Sequence, residues 1–171
     1  MAKLPDKYAQ FFYMSVTMSA ANTLTFAKLG VGVSLFDYAA FLLERIEYQP
    51  TRAAVQEIQA QTDEMVIAIT GSDGIASLEG DKPEVYDKLT MSGHLIGAAA
   101  NLDTNILPIV HHFTSLPGGG LLVPAQDLFI AMQTTGFANA QGSECRVYYT
   151  VIELQATDFL ELVQRLRVLS T

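Results

Sequence analysis

Phe12-Tyr13-Met14-Ser15-Val16-Thr17-Met18-Ser19-Ala20-Ala21-Asn22-Thr23-Leu24-Thr25-Phe26 decides the fold class. Phe12, Met14, Val16, Met18, Ala20, Leu24 and Phe26 share one parity, while Ser15, Thr17, Ser19, Thr23 and Thr25 share the other. Successive side chains of a strand point to opposite faces, so this alternation predicts a sheet with one buried face and one hydroxyl-rich face.

Several further β segments follow. Lys28-Leu29-Gly30-Val31-Gly32 reads as a bend, and Ser34 is placed to cap a single helical turn over Leu35 to Ala39. Phe41 to Tyr48 reads as a strand that Pro50 stops. Thr51 to Thr62 fits either a ragged strand or a short helix. Met65 to Thr70 is a β-branched apolar run closed by Gly71-Ser72-Asp73-Gly74, as expected of a central strand. Residues 71 to 94 read as a long exposed loop, with one helical turn at Glu84 to Leu89. Leu95 to Leu102 is small and apolar, and Ile106 to Phe113 reads as a strand.

In the last third, Pro117-Gly118-Gly119-Gly120 marks a turn and Leu121-Leu122-Val123-Pro124 leads into a strand over Asp127 to Thr134. A polar loop, Gly136 to Ser143, precedes a strand over Glu144 to Leu154, and the two strands read as an antiparallel hairpin. Asp158 and Glu161 suit a helix start. Phe159, Leu160, Val163, Leu166 and Leu169 give a helical stripe, so a short C-terminal helix is expected over about 158–169. Six to eight strands without alternating helices predict an all-β protein. We expect an antiparallel β-sandwich or single jelly roll, with residues 1–171 forming one domain. Phe12, Met14, Val16, Ile67, Ile69, Phe129 or Ile130, Val147 and Tyr149 are the expected inward or interface residues.

Composition narrows the function classes. Half of the 171 residues are hydrophobic and only 16% are charged, below the roughly 25% usual for soluble domains. Such a chain is expected to hide surface against partners, which favours an oligomer. The net charge is −8, and the start carries only Lys3 and Lys7, so no direct nucleic-acid partner is expected. No stretch has the length of a membrane span and the first residues lack a signal-peptide core, so synthesis in a cytoplasm is expected.

Recognisable catalytic and metal chemistry is missing from the pattern. His111 and His112 are adjacent and point to opposite faces of a strand, and His94 lies in a loop, so no metal is expected. Gly118-Gly119-Gly120 lacks the following Lys-Ser/Thr of a phosphate cradle. Asp73, Glu79, Asp81 and Glu84 do not have calcium-loop spacing. No Gly-x-Ser-x-Gly elbow occurs, and the lone Cys145 reads as a small buried hydrophobe, with an intermolecular disulfide as the alternative. The chain is therefore read as a non-enzyme without a cofactor.

Two blocks carry a family resemblance. Tyr8 to Pro50, with the run through Ser19-Ala20-Ala21-Asn22 and the strand Glu44-Arg45-Ile46-Glu47-Tyr48, resembles the first half of a viral jelly-roll coat protein. Gly118 to Leu154 resembles the closing strand pair of such a barrel, with Leu-Leu-Val-Pro before one strand and Arg146-Val147-Tyr148-Tyr149-Thr150-Val151 after a polar loop. Together they cover about half the chain. In pattern and length the chain is similar to the small single-jelly-roll capsid proteins of tailless icosahedral viruses with an internal membrane, whose barrels stand upright on the shell. The resemblance implies a virion subunit that self-associates or pairs with a second capsid protein, close to the internal membrane. A shell separated from its genome by a membrane has no need of a basic arm. A candidate subunit interface is Ser15, Thr17, Ser19, Phe159, Val163 and Leu166. The alternatives are a carbohydrate- or ligand-binding jelly roll and, third, an enzyme without a recognisable motif.

Overall fold

A computed structural model describes residues 10–29, 38–78, 82–93 and 108–168. Their nine strands are β1 (Gln10–Thr17), β2 (Leu24–Leu29), β3 (Ala39–Pro50), β4 (Glu64–Thr70), β5 (Val85–Ser92), β6 (Ile109–His112), β7 (Leu121–Pro124), β8 (Leu128–Thr135) and β9 (Gly142–Glu153). The two helices are α1 (Arg52–Glu57) and α2 (Ala156–Val168).

One sheet has the order β1-β9-β3-β6, with β7 also on β3, and the other has the order β2-β8-β4-β5. Every pairing is antiparallel. The nesting of the pairs defines the topology. β1 pairs with β9, β2 with β8, β3 with the interrupted strand β6/β7, and β4 with β5. That is a four-rung antiparallel ribbon; wrapping it adds the β3–β9 and β4–β8 contacts and closes a jelly-roll sandwich.

The core lies between the sheets. Met14, Val16, Ile46, Tyr48, Ile67, Ile69, Ile130, Met132 and Val147 are buried there, and Phe12 and Tyr149 close its edge with rings stacked 4.0 Å apart. Of these, Phe12, Met14, Val16, Ile67, Ile69, Ile130, Val147 and Tyr149 are the expected inward residues, and Ile46, Tyr48 and Met132 join them. Phe129 is buried as well as Ile130, because β8 is covered on both faces. Val66, Ala68 and Ala131 form a second cluster with Leu78, Leu24, Phe26 and Val85 on the outer side of the second sheet. Leu78 is tied there by its amide, which donates to Gln133 Oε1 at 2.8 Å.

Four expectations are corrected. The alternation from Phe12 to Phe26 is not one strand. It breaks after Thr17, and β2 joins the opposite sheet, so Ala27 and Leu29 face the core while Leu24 and Phe26 face outward. The turn runs through Asn22, which adopts φ 59°. Its side chain donates to the Phe137 carbonyl and accepts from the Phe137 amide, both at 2.9 Å. Asn22→Ala loses both bonds and keeps an unfavourable left-handed backbone, so it should cost about 2 kcal/mol. Urea unfolding would check this, and a midpoint matching wild type would contradict it.

Second, residues 85–92 form β5 instead of a loop with a helical turn. Leu89 and Met91 enter the core on one parity, but the third position of that parity is Asp87, which disguises the strand. Third, β8 and β9 are not a hairpin: they lie in different sheets, and residues 136–141 arch between them. A hairpin turn and a sheet-crossing arch have the same sequence signals, and pairing with distant strands decides between them. Fourth, α2 begins at Ala156, two residues before the expected start.

Of residues 51–62, Arg52–Glu57 form the short helix α1, where Thr51 Oγ1 accepts from the Ala54 amide at 3.2 Å. The helical turn expected from residue 35 lies outside the described residues as far as 37, and Ala39 already belongs to β3. The readings of Leu95 to Leu102 and of His94 also fall outside the described residues.

Candidate assembly surface and end cleft

The outer face of the first sheet is built in register. β1, β9, β3 and β6 align Phe11, Tyr148, Arg45 and His112 in one row and Tyr13, Arg146, Glu47 and Val110 in the next. Ser15, Glu144 and Gln49 form a third row. A bulge between Leu43 and Arg45 turns Arg45 and Glu47 outward while Ile46 and Tyr48 stay in the core. Phe11 is 54% exposed, Tyr13 51% and Val110 38%.

Polar contacts organise this face. Arg45 sits 3.9 Å above the Tyr148 ring, and its Nη2 lies 3.1 Å from Glu47 Oε1. Tyr148 donates its hydroxyl to Glu47 at 3.3 Å. Phe11 and Tyr148 have centroids 5.7 Å apart. The hydrogen bond to Glu144 raises the Tyr13 phenol above its ordinary value.

Ser15 and Thr17 lie exposed on this face and Ser19 is exposed in the turn beyond it. The face is aromatic and charged as well as hydroxyl-bearing, because Phe11 and Tyr13 share their parity. Phe159, proposed from the sequence as an interface residue, is only 6% exposed and packs edge-on against Tyr38, 5.8 Å between centroids. Val163 is half-buried, and the side chain of Leu166 lies outside the description. Thus the structure gathers the serine and threonine positions at one end of the first sheet and leaves the helix stripe at the other end.

A cleft of about 730 Å³ opens between α1 and the β8–β9 arch. Ala53, Gln56, Glu57, Asp63, Asn139 and Gln141 are among its lining residues, and among the described residues no lysine or arginine lines it. Glu57 accepts from Asn139 Nδ2 at 2.6 Å and from the Ala138 amide at 2.9 Å, and these bonds hold its carboxyl below the usual range. The buried Asp63 accepts from the amides of Gln59 and Ala60. Sequence reasoning missed this site because its residues come from segments about 80 positions apart. The Gln- and Asn-rich composition of both segments was the available signal.

Inside the sandwich, Tyr48 donates to Asp87 Oδ2 at 2.9 Å, and His111 Nδ1 lies 2.7 Å from the same oxygen. This network joins β3 and β6 to β5 across the sheets. Burial, with Asp87 beside it, pushes the Tyr48 phenol well up.

Cys145 is buried, and burial pushes its thiol up to about 12 from an ordinary value of 9.0. A raised folded value means that stability is full below the unfolded value and falls as pH rises through the interval from about 9 to about 12. We expect alkaline weakening to begin near pH 9, and Cys145→Ala to flatten it. Urea midpoints between pH 8 and about 10.5 would check this; equal slopes in both proteins would contradict it. Among the described residues no group of three or more His, Cys, Asp or Glu is placed to hold a metal ion, and no helix is long and apolar enough to cross a membrane.

No family model and no curated protein matches the sequence. Solved structures do match in fold. The VP1 protein of Trichodysplasia spinulosa-associated polyomavirus superposes with a TM-score of 0.49 at 8% identity, over 90% of this chain and 98% of that one. Merkel cell polyomavirus VP1, determined in complex with the GD1a oligosaccharide, superposes with a TM-score of 0.52 at 6% identity, over 90% of this chain and 98% of that one. The chain is an all-β jelly-roll sandwich with a short C-terminal helix, and it shares that fold with Merkel cell polyomavirus VP1.

Proposed function

We propose that this protein is a structural subunit of a virus shell. The observation that carries the reading is the complete jelly-roll ribbon, matched over 90% of the chain by Merkel cell polyomavirus VP1. The exposed aromatic face of the first sheet adds a surface suited to protein contact. In this reading the protein acts by assembly and carries no active site. The finer form follows the sequence resemblance: a virion protein of a tailless icosahedral virus with an internal membrane, assembling with itself and with a second capsid protein. Ser15, Thr17 and Ser19 lie at the contact.

Size exclusion with light scattering, followed by electron microscopy, tests the reading. Defined oligomers or shells are expected, alone or with the other coat proteins of the source virus. A strict monomer under both conditions would overturn it. A net charge of −8 argues against contact with the packaged genome. Filter binding at about 50 mM salt should show weak association, and micromolar affinity would refute a membrane-backed shell.

The end cleft supports a second reading, a carbohydrate-binding jelly roll. Its amides and carboxylates, without a cation among the described lining residues, suit a neutral polyhydroxyl ligand better than an anionic one. Titration with neutral oligosaccharides, monitored at Asn139 and Gln141 by NMR, would decide it; unperturbed signals would reject this reading.

A further inference from the structure

We infer that the outer face of the first sheet is a two-fold interface with a second copy of this chain. The inference deepens the shell reading, on which it rests, by naming the face and its occupant. Consider an axis parallel to the strands, midway between β9 and β3. It lays β1 of one copy over β6 of the other, and β9 over β3.

The register makes this face complementary to itself. In the row Tyr13, Arg146, Glu47, Val110, the operation sets Arg146 against Glu47 of the second copy, and Glu47 against the second copy's Arg146. The exposed Tyr13 meets Val110 of the second copy. In the row Phe11, Tyr148, Arg45, His112, the Tyr148 ring meets an arginine, the contact it already makes within its own chain. A partner of a single charge sign would leave either Arg146 or Glu47 unmatched. A copy of the same face matches both.

Size and coverage agree. β1, β9, β3 and β6 are 8, 12, 12 and 4 residues long, and at about 3.4 Å along and 4.8 Å across each strand they give a footprint on the order of 600 Å² per copy. A standard interface takes about 800 Å² from each partner. On the second sheet, among the described residues, Leu78 and its neighbours already cover the outer side of Val66, Ala68 and Ala131. Among the described residues, the first sheet is therefore the one that offers an open aromatic face.

Charge reversal followed by mixing tests this directly. Arg146→Glu leaves two acidic groups on each copy, and Glu47→Arg leaves two basic ones, so either variant alone should dimerise at least roughly tenfold more weakly. Mixed in equal amounts, they place glutamate against arginine at both contacts, and native mass spectrometry should show the heterodimer. Neither chain contains a repaired pair by itself, so restored association can arise only between copies. Circular dichroism checks that each variant is folded. If one is not, Tyr13→Ser, at a half-exposed position, should weaken the dimer by a similar factor without shifting the monomer's melting. Oligomers or shells that form equally well with these variants would overturn the two-fold face and leave the shell reading standing. A wild-type protein that is monomeric at high micromolar concentration, alone and with its coat partners, would overturn both.

Discussion

An aspartate in place of Val16 should leave the protein largely unfolded near physiological temperature. Val16 is 2% exposed and packs in the core between the sheets. The substitution removes about 1.5–3 kcal/mol of apolar burial. It also places a carboxyl where no partner waits, which costs several kcal/mol more whether the group stays charged or takes up a proton. A total of about 5 kcal/mol is comparable with the whole stability of an ordinary domain. It corresponds to a fall in melting temperature of roughly 10–20 °C for a chain of this length. Far-ultraviolet circular dichroism during a thermal scan would measure it. A cooperative transition within a few degrees of wild type would show that β1 does not contribute its even positions to the core. Val16→Ile, which keeps the apolar contact, should shift the transition far less.

The second large effect is expected at Asp87. Its carboxylate oxygen receives the Tyr48 hydroxyl and faces His111 Nδ1, so Asp87→Ala strands a hydroxyl in the interior and unlinks β5 from β3 and β6. We expect a loss of about 3 kcal/mol, most of it the cost of an unsatisfied buried group. Tyr48→Phe alone should cost about 1 kcal/mol, since Asp87 keeps His111. The double variant should then be more stable than the sum of the two losses, because the stranded hydroxyl is gone. Urea midpoints for the four proteins give this coupling. Strict additivity would mean that the network contributes nothing beyond its separate members.

Both predictions rest on features that differ in how far the sequence exposes them. The inward register of β1 can be read directly: Met14 and Val16 alternate with Ser15 and Thr17, and burial follows that parity. Local chemistry also marks the strand at Met65 to Thr70 and the terminal helix. Asp87 could not be recognised in the same way. A lone acidic residue in an alternating segment reads as solvent-facing, and its partners come from residues 48 and 111. The structure alone shows that the position is half-buried and paired.

The candidate interface divides along the same line. Ser15 and Thr17 were legible as outward residues because parity reaches that far. The face that joins them to Arg146, Glu47 and Val110 depends on paired strands more than about 60 residues apart in the chain. Phe159 was legible as part of an apolar stripe, but burial against Tyr38 took it out of the surface.

The sequence by itself determined where the chain is extended, where it turns and which residues of each strand share a face. These follow from side-chain shape, backbone freedom and the two-residue period, all of them local. Only the tertiary structure decided which sheet each strand joins. Hydrogen bonds between strands are alike whatever the sequence, so the choice falls to the packing of distant side chains. The arch from β8 to β9, the reversal of faces between β1 and β2 and the pairing of Asp87 with Tyr48 all result from that packing.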